Sequence, residues 1–149
     1  MNQSRAESLL RFVLRAIGGV SLLALVAVVM PYSWMDATHR WLGLGKLPSE
    51  PIVGYLARSL SAFYALLGGL FWMLSFDLPR HRPTVCFLGV ATIGFGAILT
   101  GIDWAEGLPR YWKVWEGPWV MFMGAAIAWL AFRIKPRGNE AGGPSADRS

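Results

Sequence analysis

Four long apolar runs alternate with short polar segments along this chain, which predicts four membrane-spanning helices. The runs cover about residues 12–31, 52–76, 84–103 and 116–133. At a rise of about 1.5 Å per residue, a helix over residues 52–76 would measure roughly 37 Å, which exceeds the hydrocarbon core of a bilayer at about 30 Å. We therefore predict an all-α fold, an integral membrane four-helix bundle over residues 12–133.

The polar segments predict how the runs are connected. Residues 1–11 form a polar N-terminal segment, in which Ser4 followed by Glu7 resembles a helix-capping pair. Residues 32–51 contain Trp34 and Trp41, which suit a short interfacial helix, and the Trp-rich third connection fits the same level of the membrane. Residues 77–83, with two prolines, predict a tight basic turn. Residues 134–149 are rich in Gly, Pro and Ser, which predicts a disordered tail.

Composition and charge agree with a membrane protein. The 149-residue chain is 54% hydrophobic and 15% charged, with a mean hydropathy of +0.42. Its net charge of +5 does not indicate a nucleic-acid partner, because the arginines flank the apolar runs. Nine Lys and Arg residues fall on the side of the two termini and the second connection, against four on the other side. This asymmetry predicts that both termini are cytoplasmic.

The start of the chain also has an alternative interpretation. A basic segment followed by an apolar run describes a signal peptide as well as a first membrane helix. No small-x-small cleavage pattern follows Met30. We therefore favour a first membrane-spanning helix.

One charged residue interrupts the second run. Arg58 lies roughly 9 Å along the predicted helix axis, at a depth where a guanidinium needs a partner or must reach the headgroups. It belongs to a stripe of small and polar residues at steps of three and four, which predicts that it faces the bundle. The stripe consists of Gly54, Arg58, Ser61, Ala65, Gly68 and Trp72.

Two carboxylates are predicted at the same depth as this arginine. Asp103 closes the third run and Glu116 opens the fourth, and a guanidinium fork suits carboxylates. With Tyr55 and Tyr64 nearby, these residues predict an outward-facing polar pocket that binds a ligand. A purely structural clasp is the favoured interpretation of these charges, because Glu116 also suits a helix N-terminus and Arg58 can extend to lipid phosphate; the ligand pocket is the alternative.

The sequence gives little support for haem binding, disulfide formation, metal binding or nucleophilic catalysis. His39 and His81 are predicted on opposite sides of the membrane, so they do not ligate one haem iron. Cys86 is the single cysteine, which excludes an internal disulfide. No metal-ligand spacing, nucleophile elbow or phosphate loop is found. We therefore expect no cofactor, no metal and no catalytic residue.

The layout resembles the DoxX-like superfamily of small four-helix bacterial membrane proteins. The resemblance rests on the four predicted helices, on the arginine in YLARSLSAFYALLGG and on the glutamate in WEGPW. Some members are linked to membrane-associated oxidoreductase complexes as small partner subunits. The resemblance implies a bacterial inner-membrane location, and Arg58 and Glu116 match the charged positions of the pattern.

Two functional hypotheses follow from the sequence. In the first, the protein is a partner or accessory subunit of a membrane complex, or forms a homo-oligomer, through exposed small-residue faces. In the second, it binds, or acts as an enzyme on, a small anionic or lipid-derived ligand in the pocket around Arg58. A transporter is less favoured, because no ionisable residue lies at mid-membrane on any predicted helix.

Overall fold

The computed structural model of the chain describes residues 2–135, and this part is all-helical. Its elements are α1 (Gln3–Leu22), α2 (Leu25–Val29), α3 (Tyr32–Trp41), α4 (Pro51–Leu74), α5 (Leu78–Ala105) and α6 (Arg110–Phe132). Four helices are long and apolar enough to cross a membrane, the first of them formed by α1 and α2 together over Gln3–Val29. The chain therefore has the four candidate spans that the apolar runs predict.

The first helix begins earlier than its apolar run. It starts at Gln3, with Asn2 rather than Ser4 at the N-cap. Ala6 and Leu10 are buried in the core, so packing extends the helix into the segment predicted to precede it. The side chains of Gln3 and Glu7 are joined by a hydrogen bond of 3.0 Å. Residues 3–11 are thus part of the first helix.

The basic segment after α4 is mostly helix rather than turn. Asp77 is the N-cap of α5 and its Oδ1 accepts a hydrogen bond from the backbone N–H of Arg80 at 3.3 Å. Pro79 lies in the first turn, where a missing N–H leaves no helical bond unmade. Pro83 lies within the helix. The two prolines therefore mark the start of α5, and only residues 75–77 separate it from α4.

The fourth helix also begins before its apolar run, and the residues that follow it are buried in the core. α6 starts at Arg110, so much of the predicted Trp-rich connection forms its first turns. Gly107, with a φ of +68°, makes the short link before it. After α6, Ile134 is 2% exposed and packs in the core, so it does not belong to the predicted tail. The remainder of that tail, residues 136–149, lies outside the described residues.

Glycines allow α5 and α6 to pack closely. A Cβ at Gly96 would lie 2.7 Å from the carbonyl oxygen of Gly117, and one at Gly124 would lie 2.7 Å from that of Gly89. Small residues let helix backbones approach in a bilayer, where lipid is as apolar as a side chain and dispersion contacts drive association. These glycines hold α5 and α6 together as one antiparallel pair.

A second glycine contact joins α1 to α4. A Cβ at Gly68 would lie 2.7 Å from the carbonyl oxygen of Gly18, and one at Gly18 would lie 2.5 Å from the Trp72 ring. α2 also packs on α4. The predicted inward stripe of α4 is therefore buried at Ala65 and Gly68.

The two pairs meet mainly at one end. The buried core lies where the N-terminal half of α1, the end of α4, the start of α5 and the end of α6 come together, which we call the terminal end. Its members are Ala6, Leu10, Leu14, Leu74, Leu78, Val85, Ile127, Leu130, Ala131 and Ile134. α4 and α5 share few contacts. The opposite end, which carries α3 and the loops around it, is called the connection end.

Candidate functional site

Arg58 contacts the end of α2. Its Nη2 donates a hydrogen bond to the carbonyl oxygen of Met30 at 3.1 Å, and Met30 is the C-cap of α2. The last carbonyls of a helix lack partners within the helix and carry partial negative charge, so a guanidinium is favourable there. Arg58 and Tyr55 are both exposed.

The other predicted site residues lie closer to one another. Glu116 is partly buried on α6, and its Oε2 accepts a hydrogen bond from the indole N–H of Trp112. Asp103, near the end of α5, is 3% exposed, and its Oδ2 has no hydrogen-bond partner among residues 2–135. Glu116 lies within electrostatic range of both Asp103 and Tyr64. Asp103 and Glu116 thus lie towards the connection end, whereas Tyr64 lies midway along α4.

The predicted pairing of Arg58 with these carboxylates is absent from the described part of the chain. The ion pair found there joins Arg40 to Asp36 at 2.6 Å. The prediction matched charges by their depth along the helices, but depth does not determine which neighbour a side chain meets. Arg58 meets the backbone of the first span, and Glu116 meets an aromatic ring on its own helix.

Aromatic residues surround Glu116 instead. A cavity of about 330 Å³ is lined by Leu42, Tyr111, Trp112, Trp115, Glu116 and Trp119, and we call it the aromatic pocket. The five α6 residues recur at helical spacing and so share one face. Tyr111 also donates a hydrogen bond from its hydroxyl to the carbonyl oxygen of Leu42. This bond joins α6 to the loop after α3 and closes one side of the pocket.

The first connection is ordered around Asp36. Its Oδ2 pairs with Arg40, and its Oδ1 accepts from the backbone N–H of Leu47 at 2.8 Å. The hydrogen bond from Arg40, followed by that from the Leu47 amide, lowers the pKa of Asp36 below its ordinary value. The Tyr32 hydroxyl donates to the carbonyl oxygen of Leu47 at 2.6 Å. These bonds fold residues 42–47 back onto α3, beside the aromatic pocket.

Arginines join the helices at the terminal end. The Nε of Arg11 donates to the carbonyl oxygen of Ser75 at 3.2 Å, and that of Arg15 donates to the Ser75 hydroxyl at 3.1 Å. The guanidinium of Arg15 also lies over the ring of Trp72, 5.5 Å from its centroid. The Nε of Arg82 donates to the carbonyl oxygen of Ala131 at 3.2 Å. Positive charge there stabilises the C-terminal ends of α4 and α6.

An apolar cleft of about 270 Å³ separates α4 from α5. It extends over about three turns of α4 and two of α5, so it runs along the helix axes. Its lining residues are Leu60, Phe63, Tyr64, Leu67, Phe71, Leu88, Ala91, Thr92 and Phe95. Because lipid exerts no hydrophobic force between helices, a partner of either kind, lipid or helix, can occupy this cleft.

Comparisons of this chain with family models, curated proteins and solved structures gave no match. The chemistry must therefore be judged from the residues themselves. Within residues 2–135, no group of three or more His, Cys, Asp or Glu side chains is placed to hold a metal ion. The apolar cleft and the aromatic pocket lie on α4, α5 and α6, while two further cavities lie along the N-terminal half of α1.

The sequence predicts Glu116 as a site residue but does not predict the pocket around it. Trp112, Trp115 and Trp119 suit a membrane-interface belt, and the residues before 116 read as a connection. Their spacing of three and four residues would have placed them on one helical face with Glu116. Pro118 obscured that signal, because a proline is usually a sign that a helix has not yet begun or has ended.

Proposed function

We propose that this protein is a small DoxX-like subunit of a bacterial inner-membrane complex, and that a membrane-spanning helix of a partner protein binds in the cleft between α4 and α5. The proposal includes cytoplasmic termini, on the strength of the Lys and Arg asymmetry. The cleft is the observation that supports it. In this proposal the protein binds a partner helix and does not catalyse a reaction.

The shape of the cleft favours a helix as its occupant. Its lining residues recur at steps of three and four on both helices, so the groove is parallel to the bundle and matches a neighbouring helix. The lining combines the small residues Ala91 and Thr92 with the large, exposed rings of Phe63 and Phe95. Large side chains of a facing helix can enter such a groove beside these rings. Its volume of about 270 Å³ accommodates side chains and not a second backbone.

The packing within the chain supports the same conclusion. α5 and α6 bury their glycines against each other, and α1 and α4 do the same at Gly18 and Gly68. α4 and α5 are adjacent in sequence and joined by three residues, yet they remain largely unpacked against each other. The bundle is therefore open along one side, where the helices of a larger assembly can continue the packing.

The pocket around Arg58 receives less support. Arg58 donates to a backbone carbonyl and is absent from the lining of the aromatic pocket and of the cleft. The negative charge of Glu116 in the aromatic pocket does not suit an anionic ligand. We therefore place the partner-subunit hypothesis first.

Site-specific photo-crosslinking in the native membrane tests the docking proposal. A photoreactive phenylalanine analogue replaces Phe95 in the cleft and, as a control on the same helix, Phe87, which is 68% exposed. We expect Phe95 alone to yield an adduct whose crosslinked peptide maps to a membrane-spanning segment of one other protein. Ala91→Phe, which fills the cleft, should abolish this adduct, while Ala97→Phe on another face should preserve it.

Three outcomes would contradict the proposal. The Phe95 position could give adducts with lipid alone, it could crosslink to a second copy of this chain, or Ala91→Phe could leave the adduct unchanged. A lipid adduct would assign the cleft to acyl chains. An adduct between copies would make the protein a homo-oligomer rather than a subunit of a mixed complex.

A further inference from the structure

The aromatic pocket combines ring faces with a single carboxylate. Tyr111, Trp112, Trp115 and Trp119 supply four rings, and Glu116 supplies the charge. The rings of Trp115 and Trp119 lie 5.8 Å apart at 42°. An interfacial belt anchors a helix with scattered aromatic residues, whereas these rings line one half-open cavity beside an acidic group. Their arrangement is that of a binding site.

Within residues 2–135 Glu116 forms no ion pair, and three basic side chains at this end are engaged elsewhere. Lys113 lies over the ring of Trp104, with its Nζ 4.9 Å from the centroid. Arg40 is paired with Asp36, and Arg58 with the carbonyl oxygen of Met30. The indole of Trp112 satisfies one oxygen of Glu116, but it brings no positive charge.

A second carboxylate adds to the negative potential. Asp103 is 3% exposed and its Oδ2 is unpartnered within residues 2–135, and it interacts electrostatically with Glu116. Two neighbouring carboxylates disfavour each other's charge unless a cation is close. A positively charged ligand in the aromatic pocket would relieve that repulsion.

The lining selects the kind of cation. Mg²⁺ and Ca²⁺ need several oxygen ligands, and the pocket offers one carboxylate beside a Tyr111 hydroxyl that is already bonded to the Leu42 carbonyl oxygen. Aromatic faces attract organic ammonium groups, which retain apolar surface and shed water readily. The cavity, at about 330 Å³, is at the small end of the range of small-molecule pockets, about 300–1,000 Å³. These features fit a compact alkylammonium group.

We propose that the aromatic pocket binds an organic ammonium group, with the rings of α6 around the cation and Glu116 as its counter-ion. The group can belong to a zwitterionic lipid headgroup or to a free amine, since both present the same chemistry. This binding is independent of the partner helix proposed for the cleft, because the two sites share no lining residue.

Calorimetric titration of the full chain in a neutral maltoside detergent tests the proposal. The probe is choline, and the comparison ligand is 3,3-dimethylbutanol, which has the same shape without the charge. We expect choline to bind at least tenfold more tightly than the neutral compound. Glu116→Gln, which retains an oxygen for Trp112, should weaken choline binding at least tenfold. Glu106→Gln, at an exposed acid in the third connection, should leave it unchanged.

A second pair of variants keeps the test independent of Glu116. Trp119→Leu should weaken choline binding several-fold, while Trp129→Leu, half-exposed on the same helix outside the pocket, should not. Helix content by circular dichroism checks that each variant folds. Equal affinity for choline and the neutral compound, or no detectable binding of choline by folded wild type, would overturn the proposal. So would unchanged choline affinity in folded Glu116→Gln.

Mixed micelles separate the two sources of the ammonium group. Dioleoyl phosphatidylcholine is compared with dioleoyl phosphatidylglycerol, which has the same acyl chains and no ammonium group. Displacement of choline by the first lipid alone would assign the pocket to a headgroup. Choline binding that neither lipid displaces would assign it to a soluble amine.

Discussion

Arg58 shows how much a single side chain depends on its immediate neighbours. Met30 is the C-cap of α2 and has an extended backbone, and the N–H of Trp34 bonds to the carbonyl of Pro31, so the carbonyl of Met30 lacks a helical partner. Arg58 reaches this carbonyl at 3.1 Å. In an apolar environment an unpaired carbonyl is costly, so this bond is a sufficient reason for an arginine in a membrane-spanning helix.

The location of Arg58 predicts independence from Glu116. Because the two side chains share no hydrogen bond or ion pair, the effects of Arg58→Gln and Glu116→Gln on the free energy of unfolding should add to within about 0.5 kcal/mol in the double variant. Thermal unfolding in detergent of the wild type, both single variants and the double variant measures this. A double variant hardly less stable than either single variant would instead establish the clasp that the sequence suggests.

At the scale of single residues, the sequence predicts which charged side chains matter but not which partners they bind. It identified Arg58, Asp103 and Glu116 as the charged groups of the outer level. The sequence does not predict that Arg58 binds a backbone carbonyl. A sequence pattern shows which side chains are ionisable, but it does not show which backbone carbonyls lack a hydrogen bond. The same limit concealed Ser75, which is fully buried and accepts hydrogen bonds from Arg11 and Arg15.

At the scale of elements, glycine positions separate packed from open helix faces. Gly96 on α5 faces the backbone of α6, while Gly94, two residues earlier, would place a Cβ in open space. Both lie in a regular helix, so they differ in surroundings rather than in conformation. This gives α5 a test site and a matched control almost side by side.

Alanine should have opposite effects at these two glycines. Gly96→Ala should destabilise the protein by about 1–3 kcal/mol, because the new methyl group would push α5 and α6 apart. Gly94→Ala should be neutral or stabilising by up to about 1 kcal/mol, since alanine favours a helix. Thermal unfolding in detergent measures both. Comparable losses at the two positions would show that the close α5–α6 seam does not determine stability.

Helix boundaries were less predictable than helix existence, and proline is the reason. The four spans follow from apolar length alone. The segment containing Pro79 and Pro83 suggested a turn, and Pro118 suggested a helix start, yet all three prolines lie within helices. A proline in the first turn removes no helical bond, and one deeper in the helix is tolerated in membrane helices where neighbouring groups satisfy the freed carbonyl. Sequence alone does not show which neighbours these are.

At the scale of the whole molecule, basic residues collect where the chain ends meet. Arg11, Arg15 and Arg82 combine hydrogen bonds to the ends of α4 and α6 with positions expected for the cytoplasmic side. One set of residues can therefore serve both folding and orientation. Labelling can test whether α3 lies at the membrane interface and on which side of the membrane the termini lie.

Cysteine labelling should reveal the orientation. In a Cys86→Ser background, Glu106→Cys and Glu50→Cys should react with a membrane-impermeant maleimide in intact cells, because both lie in predicted outer connections. Ser4→Cys should react only after the membrane is permeabilised. All three positions are exposed, so differences in reactivity report the side of the membrane. The reverse pattern would place the termini outside.

The arrangement of the core has a consequence for biosynthesis. The N-terminal spans leave the ribosome first, and the bonds from Arg11 and Arg15 to Ser75 need only α1 and α4. Ile127 and Leu130, which complete the terminal core, are synthesised last. The α1–α4 contacts can therefore form before α6 is made, whereas the terminal core can be completed only after α6 has been synthesised.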